Sequence, residues 1–172
     1  MHPDYQIRLA GPADVALLPD IEDAAGELFE SAGIEGDFLA ASVALEVHAA
    51  AQAEGRLWVA TCGQIVVGFA LLRFLADGLP HLEEIDVHPD HGRRGLGRAL
   101  IECIAAWASD RGHESLSLAT FRAVAWNAPY YARIGFVTVR ALTPALREVV
   151  DEEERRGLPT SQRVVMRRPL RG

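Results

Sequence analysis

Apolar residues recur in short stretches along the chain, and in Tyr5–Ala10 they alternate with polar residues. Such alternation is typical of β-strands that bury one face. Two of the stretches are separated only by Gly63-Gln64, which predicts a β-hairpin. The predicted strands cover residues 5–10, 57–62, 65–74, 82–88, 115–121, 136–141 and 163–168.

Other segments space their apolar residues three and four positions apart, as amphipathic helices do. In the longest, Leu96, Leu100 and Ile104 belong to one apolar stripe, and Gly112 ends the pattern. Strands before, between and after helices predict an α+β or α/β protein with a mixed sheet. The predicted helices cover residues 13–30, 38–53, 95–111 and 143–156, with a short helix that Asn127 caps.

Composition narrows the class of protein. The 172 residues, 49% of them hydrophobic, predict one globular domain over residues 1–172. A net charge of -7 argues against a nucleic acid partner. No signal peptide is visible and no uncharged apolar run reaches membrane-spanning length. We therefore expect a cytoplasmic protein with no membrane partner.

The segment from His88 to Leu100 sets glycines and arginines between a predicted strand and the long helix. N–H groups at a helix start lack intrahelical partners and bind anions, and glycine lets a phosphate approach them. A P-loop is excluded because the chain has no lysine. A dinucleotide fingerprint is not met, because Leu100 occupies the position of its third glycine. The pattern favours a phosphate-binding loop, with a simple helix-capping turn as the alternative.

Three motifs, in the expected order, resemble the GNAT superfamily of N-acetyltransferases. The loop is similar to the family's Gln/Arg-x-x-Gly-x-Gly/Ala, except that Gly92 takes the Gln/Arg position and Arg93 follows it. The hairpin of residues 58–69 resembles the family's central hairpin, and Tyr130–Phe136 resembles its aromatic-Tyr-x-x-x-Gly-Phe segment. The resemblance covers about residues 5–140. It implies a GNAT-like acyl-CoA N-acyltransferase fold, with a central, mostly antiparallel sheet flanked by helices.

The resemblance also implies acetyl-CoA as cosubstrate, with no metal. The pantetheine arm would bond to strand backbone at Ile85 and Val87, in the manner of an added strand. The diphosphate would lie against the loop. Its cofactor-binding residues would be Gly92, Arg93, Arg94, Gly95, Gly97 and Arg98.

Two side chains are the candidate catalytic residues. Strand alternation puts Glu83 on one face with Ile85 and Val87, a carboxylate on an otherwise apolar face, which makes it the first candidate for the general base. His81 and Glu84 are the other candidates, together with water, and a solvated strand end is the plain alternative for Glu83. By resemblance, Tyr131 would hydrogen-bond or protonate the leaving thiolate, with Tyr130 as the core residue of the pair.

The predicted reaction is direct attack of an amine on the thioester. Neither Cys62 nor Cys103 has a neighbouring histidine in sequence, so no acyl-enzyme is indicated. The acceptor stays open between small amines and peptide N-termini, as does a longer acyl donor. Glu30, Glu35 and Phe38 lie around the first helix–helix turn. The resemblance implies that this turn walls the acceptor pocket, where a carboxylate would bind a cationic amine.

Three further questions concern a non-catalytic role, a metal site and the oligomeric state. A non-catalytic acyl-CoA-binding or sensing module of the same fold would keep the glycines but would not need Glu83 and Tyr131. His88 and His91 make a poor metal site, because no further ligands accompany them. Homodimers are common in the family, which leaves a homodimer open for this chain.

Overall fold

A computed structural model describes residues 4–31, 33–34, 36 and 43–170. Its strands form one sheet of seven strands in the order β1-β2-β3-β4-β5-β7-β6. Every predicted strand is present, and the main difference is the sixth, which shrinks to two residues. The strands are β1 Tyr5–Leu9, β2 Leu57–Cys62, β3 Ile65–Phe74, β4 Pro80–Val87, β5 Ser115–Phe121, β6 Val137–Thr138 and β7 Arg163–Pro169.

Five α-helices accompany the sheet in the part of the chain that the structure describes. The first predicted helix begins as a 3-10 helix at Pro12–Leu17, where Pro12 and the Asp14 cap tighten the first turns. The second predicted helix begins later than expected, and its residues 38–42 lie outside the described residues. The helices are α1 Leu18–Ser31, α2 Leu45–Ala53, α3 Leu96–Asp110, α4 Ala128–Arg133 and α5 Pro144–Arg155.

The sheet is mixed and mostly antiparallel, as predicted. The pairs β1–β2, β2–β3, β5–β7 and β6–β7 are antiparallel. The pair β4–β5 is parallel and consists of His81↔Ser117 and Leu82↔Leu118, although β4 continues to Val87. No helix among the described residues is long and apolar enough to cross a membrane.

By its contacts the chain divides into two compact units. The first contains residues 1–73 and 84–104, and the second contains residues 74–83 and 105–172. The prediction of one domain over residues 1–172 stays a prediction.

The first unit is built around β2, whose first five residues are all buried. Leu18 and Ile21 of α1 are buried one turn apart, which gives this helix an apolar face for the sheet. Leu57, Val59 and Phe69 join them in one hydrophobic cluster. The β4 residues from Glu84 onward and the start of α3 belong to the same unit.

The second unit has its own core, in which α5 packs on β7. Leu146 and Val149 of α5 cluster with Leu75 and Val165. The helix begins with Thr143, whose hydroxyl accepts a hydrogen bond from the N–H of Leu146 at 3.2 Å. This unit contains β5, α4 and the first half of β4.

Candidate functional site

The glycine–arginine loop joins β4 to α3 with strained backbone. After a 3-10 turn over Pro89–His91, the chain reaches α3 at Leu96. Between them Arg93 has a φ of 56° and Gly95 a φ of 83°. The left-handed region is unfavourable for a residue with a Cβ atom, and strain of this kind concentrates at ligand sites. Left-handed residues also turn successive N–H groups toward one side, as in anion-binding nests.

Most N–H groups of this loop have no backbone acceptor in the part of the chain that the structure describes. Gly92 donates its N–H to Pro89 O at 2.9 Å, and the next backbone donor is Ala99, which bonds Gly95 O at 3.0 Å. Among the described residues, no backbone carbonyl accepts from the N–H groups of residues 93–98. The helix dipole adds partial positive charge here, so the loop suits an anionic group.

Contacts of side chains around the loop stabilise its first turn. The hydroxyl of Tyr5 lies 2.9 Å from Nδ1 of His91, and the two rings meet edge to face. Nδ1 of His88 accepts a hydrogen bond from the N–H of Asp90 at 3.3 Å. The guanidinium of Arg94 lies 6.0 Å from the centre of the Tyr5 ring. Both histidines therefore have contacts that shape the turn.

Ile85 and Val87 are half-buried on β4, in the same unit as the loop. The neighbouring strand β3 carries Gly68, where a Cβ atom would lie only 2.8 Å from the carbonyl oxygen of Asp86. Glycine is thus required for the close approach of the two backbones. This contact sets the course of β4 at the two residues predicted to bind the pantetheine arm.

Glu83 belongs to the second unit, since β4 passes from one unit to the other after this residue. Its Oε1 lies 3.8 Å from Nη1 of Arg156, with the two side chains 20% and 49% exposed. This ion pair is long and partly solvated, so its contribution to stability is small. Glu83 therefore lies against a cation and keeps contact with solvent.

His81, one of the alternative bases, is buried. It is 2% exposed, and its Nδ1 lies 2.9 Å from the hydroxyl of Ser117. That hydroxyl donates to the carbonyl of Pro80 at 3.1 Å. The parallel pairing of His81 with Ser117 explains the burial, because it lies within the sheet interior.

Tyr131 is buried, at 7% exposed, and Tyr130 is only half-buried. The prediction that Tyr130 would be the core residue is therefore wrong. In the short helix α4, the Tyr131 ring meets Phe136 edge to face at 5.7 Å. Phe136 follows the turn at Gly135, which has a φ of 97°. The Gly-Phe part of the motif thus folds back onto the tyrosine and fixes its ring.

Asn127 occupies the N-cap position of α4, but its side chain makes no capping hydrogen bond, so the predicted capping role is wrong. Its backbone φ and ψ are -110° and -118°, outside the extended conformation usual for an N-cap residue. The residue is 7% exposed, and its Nδ2 finds no hydrogen-bond partner among the described residues. A buried amide without a partner needs an explanation, and a bound ligand is one.

Asp86 was not singled out from the sequence. Burial of its carboxyl group raises its pKa to about 7, and the negative charge of Glu22 adds to the rise. A hydrogen bond with Glu84 acts in the opposite direction. Glu22 is far away in sequence, so no local pattern could have revealed this environment.

Cys62 and Cys103 are both free and half-buried. Burial raises the pKa of the Cys103 thiol, which keeps it protonated and unreactive near neutral pH. Of the predicted acceptor-wall residues, Glu35 and Phe38 lie outside the described residues. Glu30 lies in the last turn of α1.

A sequence model of the acetyltransferase (GNAT) family matches residues 19–136, more than half of the chain. The chain belongs to the GNAT acetyltransferase family. The matched residues run from α1 through α4 and include the loop, Glu83 and Tyr131. Acyl transfer is therefore the general activity of this GNAT acetyltransferase.

Solved structures share its fold. The PaiA N-acetyltransferase from Thermoplasma acidophilum, in complex with coenzyme A, matches with a TM-score of 0.74 and 14% identity, over 96% of this chain and 98% of that one. The ribosomal-protein-S18-alanine N-acetyltransferase from Escherichia coli matches with a TM-score of 0.68 and 23% identity, over 98% and 95%. N-acetylglutamate synthase from Neisseria gonorrhoeae matches with a TM-score of 0.73 and 18% identity, over 100% of this chain and 36% of that one. The predicted GNAT fold is confirmed.

Proposed function

We propose that this GNAT acetyltransferase moves the acetyl group of acetyl-CoA to an amine by direct attack in a ternary complex. The supporting observation is the strained loop, whose N–H groups stand at the start of a 15-residue helix, most of them with no backbone acceptor among the described residues. Anions bind such groups strongly because the donors are already oriented. The diphosphate would be held by Gly92, Arg93, Arg94, Gly95, Gly97 and Arg98.

The backbone of Ile85 and Val87 would hold the pantetheine arm. Added strands bind through main-chain hydrogen bonds, and the ladder of β4 with β5 stops at Leu82. Asn127 would be a further contact to the cofactor. Its buried Nδ2 lacks a partner in the described part of the chain, and a carbonyl of the ligand would satisfy it.

The acceptor must lose a proton before it attacks. A lysine-like amine with a pKa of about 10.4 requires roughly 4.6 kcal/mol for this at pH 7, whereas an α-amine near pKa 8 requires about 1 to 1.4 kcal/mol. Glu83 would accept that proton, directly or through water. Its partial exposure allows exchange with solvent, and Nη1 of Arg156 lies 3.8 Å from its Oε1. His81 and Glu84 remain the alternative bases.

Tyr131 would stabilise the departing thiolate. A phenol of pKa about 10 is protonated at pH 7 and donates a hydrogen bond. Its packing against Phe136 holds the ring in one orientation, which favours stabilisation of developing charge. Complete proton transfer to a thiolate of pKa about 8.5 is uphill by roughly 2 kcal/mol, so it would come late.

An acyl-enzyme route is less favourable for this chain. Such a route needs a cysteine thiolate, and burial raises the pKa of Cys103. Cys62 is half-buried, at the end of β2. Direct transfer needs neither thiol.

The acceptor would be a small amine or a peptide N-terminus. The test is release of CoA thiol from acetyl-CoA in the presence of alkyl amines, polyamines, amino acids and peptides, with mass spectrometry of the products. We expect turnover above the amine-free rate with at least one class and a product heavier by one acetyl group. Acetyl-CoA binding without turnover on any class would instead support the non-catalytic sensor.

A further inference from the structure

Three ligand-type side chains converge in the first unit, outside the residues assigned to acetyl transfer. They are Glu22 of α1, His48 of α2 and Glu84 of β4, and one oxygen or nitrogen from each lies within 4.8 Å of the others. His48 is 0% exposed and Glu22 is 7% exposed. Glu84 is half-buried. Three separate elements thus bring two carboxylates and an imidazole into one largely buried cluster.

The contact between His48 and Glu22 is not an ordinary hydrogen bond. Nε2 of His48 lies 3.1 Å from Oε1 of Glu22, yet neither atom has hydrogen-bond geometry with any described residue. Nδ1 of His48 also lacks such a partner among them. The two atoms are therefore close together without the alignment of a hydrogen bond. Atoms that ligate one metal ion also lie close together without bonding each other.

The remaining contacts orient the cluster. Oε2 of Glu22 accepts a hydrogen bond from the N–H of Val43 at 3.0 Å, which leaves Oε1 on the side of His48. The His48 ring packs edge to face on Phe69 with its centre 5.3 Å away. Asp86 is hydrogen-bonded to Glu84. Outer contacts of this kind position metal ligands in proteins.

The chemistry of the three donors indicates the kind of occupant. Glu22 is buried and Glu84 is half-buried, and a carboxylate charge held away from water is unfavourable without a partner. A divalent cation would balance the two carboxylates, with the imidazole as third ligand. The 3.1 Å separation is close to the ~3.3 Å expected between ligand atoms that lie 2.0–2.1 Å from a tetrahedral zinc ion. The flexible side chain of Glu84 can close the wider separations.

We propose that Glu22, His48 and Glu84 form a binding site for a divalent transition-metal ion, with Zn²⁺ as the first candidate. Oxygen and imidazole ligands suit Zn²⁺ and its first-row neighbours. The ion would tie α1 and α2 to β4 within the first unit. A fourth position would be left for water, since three protein ligands do not complete a tetrahedron.

The first test is equilibrium dialysis of the purified, metal-stripped protein against Zn²⁺, without acetyl-CoA, so that its outcome is independent of acetyl transfer. We expect one ion per chain, and an affinity at least about a hundredfold weaker in Glu22→Gln and Glu84→Gln, because each removes a ligand. Glu46→Gln is the matched control, an exposed carboxylate on the same helix as His48. Equal affinity in all four proteins would overturn the site.

A second measurement needs no variant, in case a substitution in this cluster prevents folding. Crystals of the native chain grown with Zn²⁺ would be measured at the zinc absorption edge. An anomalous peak bonded to Glu22, His48 and Glu84 supports the proposal. A peak only elsewhere, for instance between His88 and His91, or no peak at all, overturns it.

Discussion

The imidazole of His81 and the hydroxyl of Ser117 lie 2.9 Å apart in the interior of the sheet. Because that hydroxyl donates to Pro80 O, it must accept from His81, which assigns a proton to Nδ1 of the imidazole. A change of Ser117→Ala should destabilise the fold by about 1 to 3 kcal/mol, since it leaves a buried donor without its acceptor. Urea unfolding measures this change in the free energy of unfolding. The control is Ser161→Ala at an exposed position, whose free energy of unfolding should lie within about 0.5 kcal/mol of that of the native chain. Equal stability of both variants would contradict the assignment.

Replacing Tyr131 by Phe should lower kcat about tenfold to a hundredfold, because a hydrogen bond to developing thiolate charge is lost. The affinity for acetyl-CoA, measured by calorimetry, should stay the same. Tyr130→Phe is the matched control, one residue earlier and only half-buried. If both variants turn over at the native rate, Tyr131 has no catalytic role.

Gly95 and Gly63 allow a paired test of the loop. Both have positive φ, 83° and 58°, and at neither would a Cβ atom meet another atom within 4 Å. Gly95→Ala and Gly63→Ala should therefore each lose about 1 to 2 kcal/mol of stability through backbone strain. Only Gly95→Ala should also weaken acetyl-CoA binding, by tenfold or more. Unchanged affinity in both variants would refute the phosphate-loop assignment.

Asn127→Leu separates a ligand contact from a structural one. Removal of a buried amide donor that lacks a partner should leave the fold as stable or stabilise it by about 1 kcal/mol. At the same time the KM for acetyl-CoA should rise about tenfold, with the KM for the amine unchanged. A variant of lower stability and native KM would show that the amide has a structural role only.

Asp14 should make the first unit sensitive to acid. Its pKa is lowered by the Arg8 guanidinium, which it binds at 2.6 and 3.0 Å, and by the N–H of Gly11. A lowered pKa stabilises the fold at pH values above the unfolded-state pKa of about 4, and this stabilisation disappears as the pH falls through the folded-state pKa.

At pH 7, Asp14→Asn should therefore be less stable than the native chain by about 1 to 3 kcal/mol, and the gap should close between about pH 5 and pH 2. Thermal unfolding of both proteins across this pH range measures the difference in their stability. Asp151→Asn, at an exposed position on α5, should show none. A gap that is constant with pH would mean that the charge of Asp14 does not stabilise the fold.

Features that depend on residues close together in the chain were predictable from the sequence. The hairpin at Gly63, the loop at residues 92–98 and the start of α5 at Thr143 each depend on local turn or capping chemistry. The family resemblance added the order of the elements, which the family match confirms.

Features that depend on distant residues were not predictable. His81 is buried because β5 pairs with it, and Glu22, His48 and Glu84 meet only after three elements have packed. Tyr130 and Tyr131 are neighbours on a helix of only six residues. Because so short a helix shows no clear hydrophobic period, the sequence could not indicate which of the two tyrosines faces the core. Asn127 has the residue type and position of a cap, yet its side chain makes no capping hydrogen bond and its backbone angles are unusual for one.

The sheet ends at β6, which pairs with β7 at only two positions, Val137↔Arg167 and Thr138↔Met166. A long, flat outer strand would be a template for other chains, since its row of unpaired N–H and carbonyl groups invites strand addition. Two residues offer too few such groups, even though Val137 is 62% exposed. Growth of the sheet from one molecule into the next is thus blocked at this side. A homodimer of this acetyltransferase, if it forms, should use another surface.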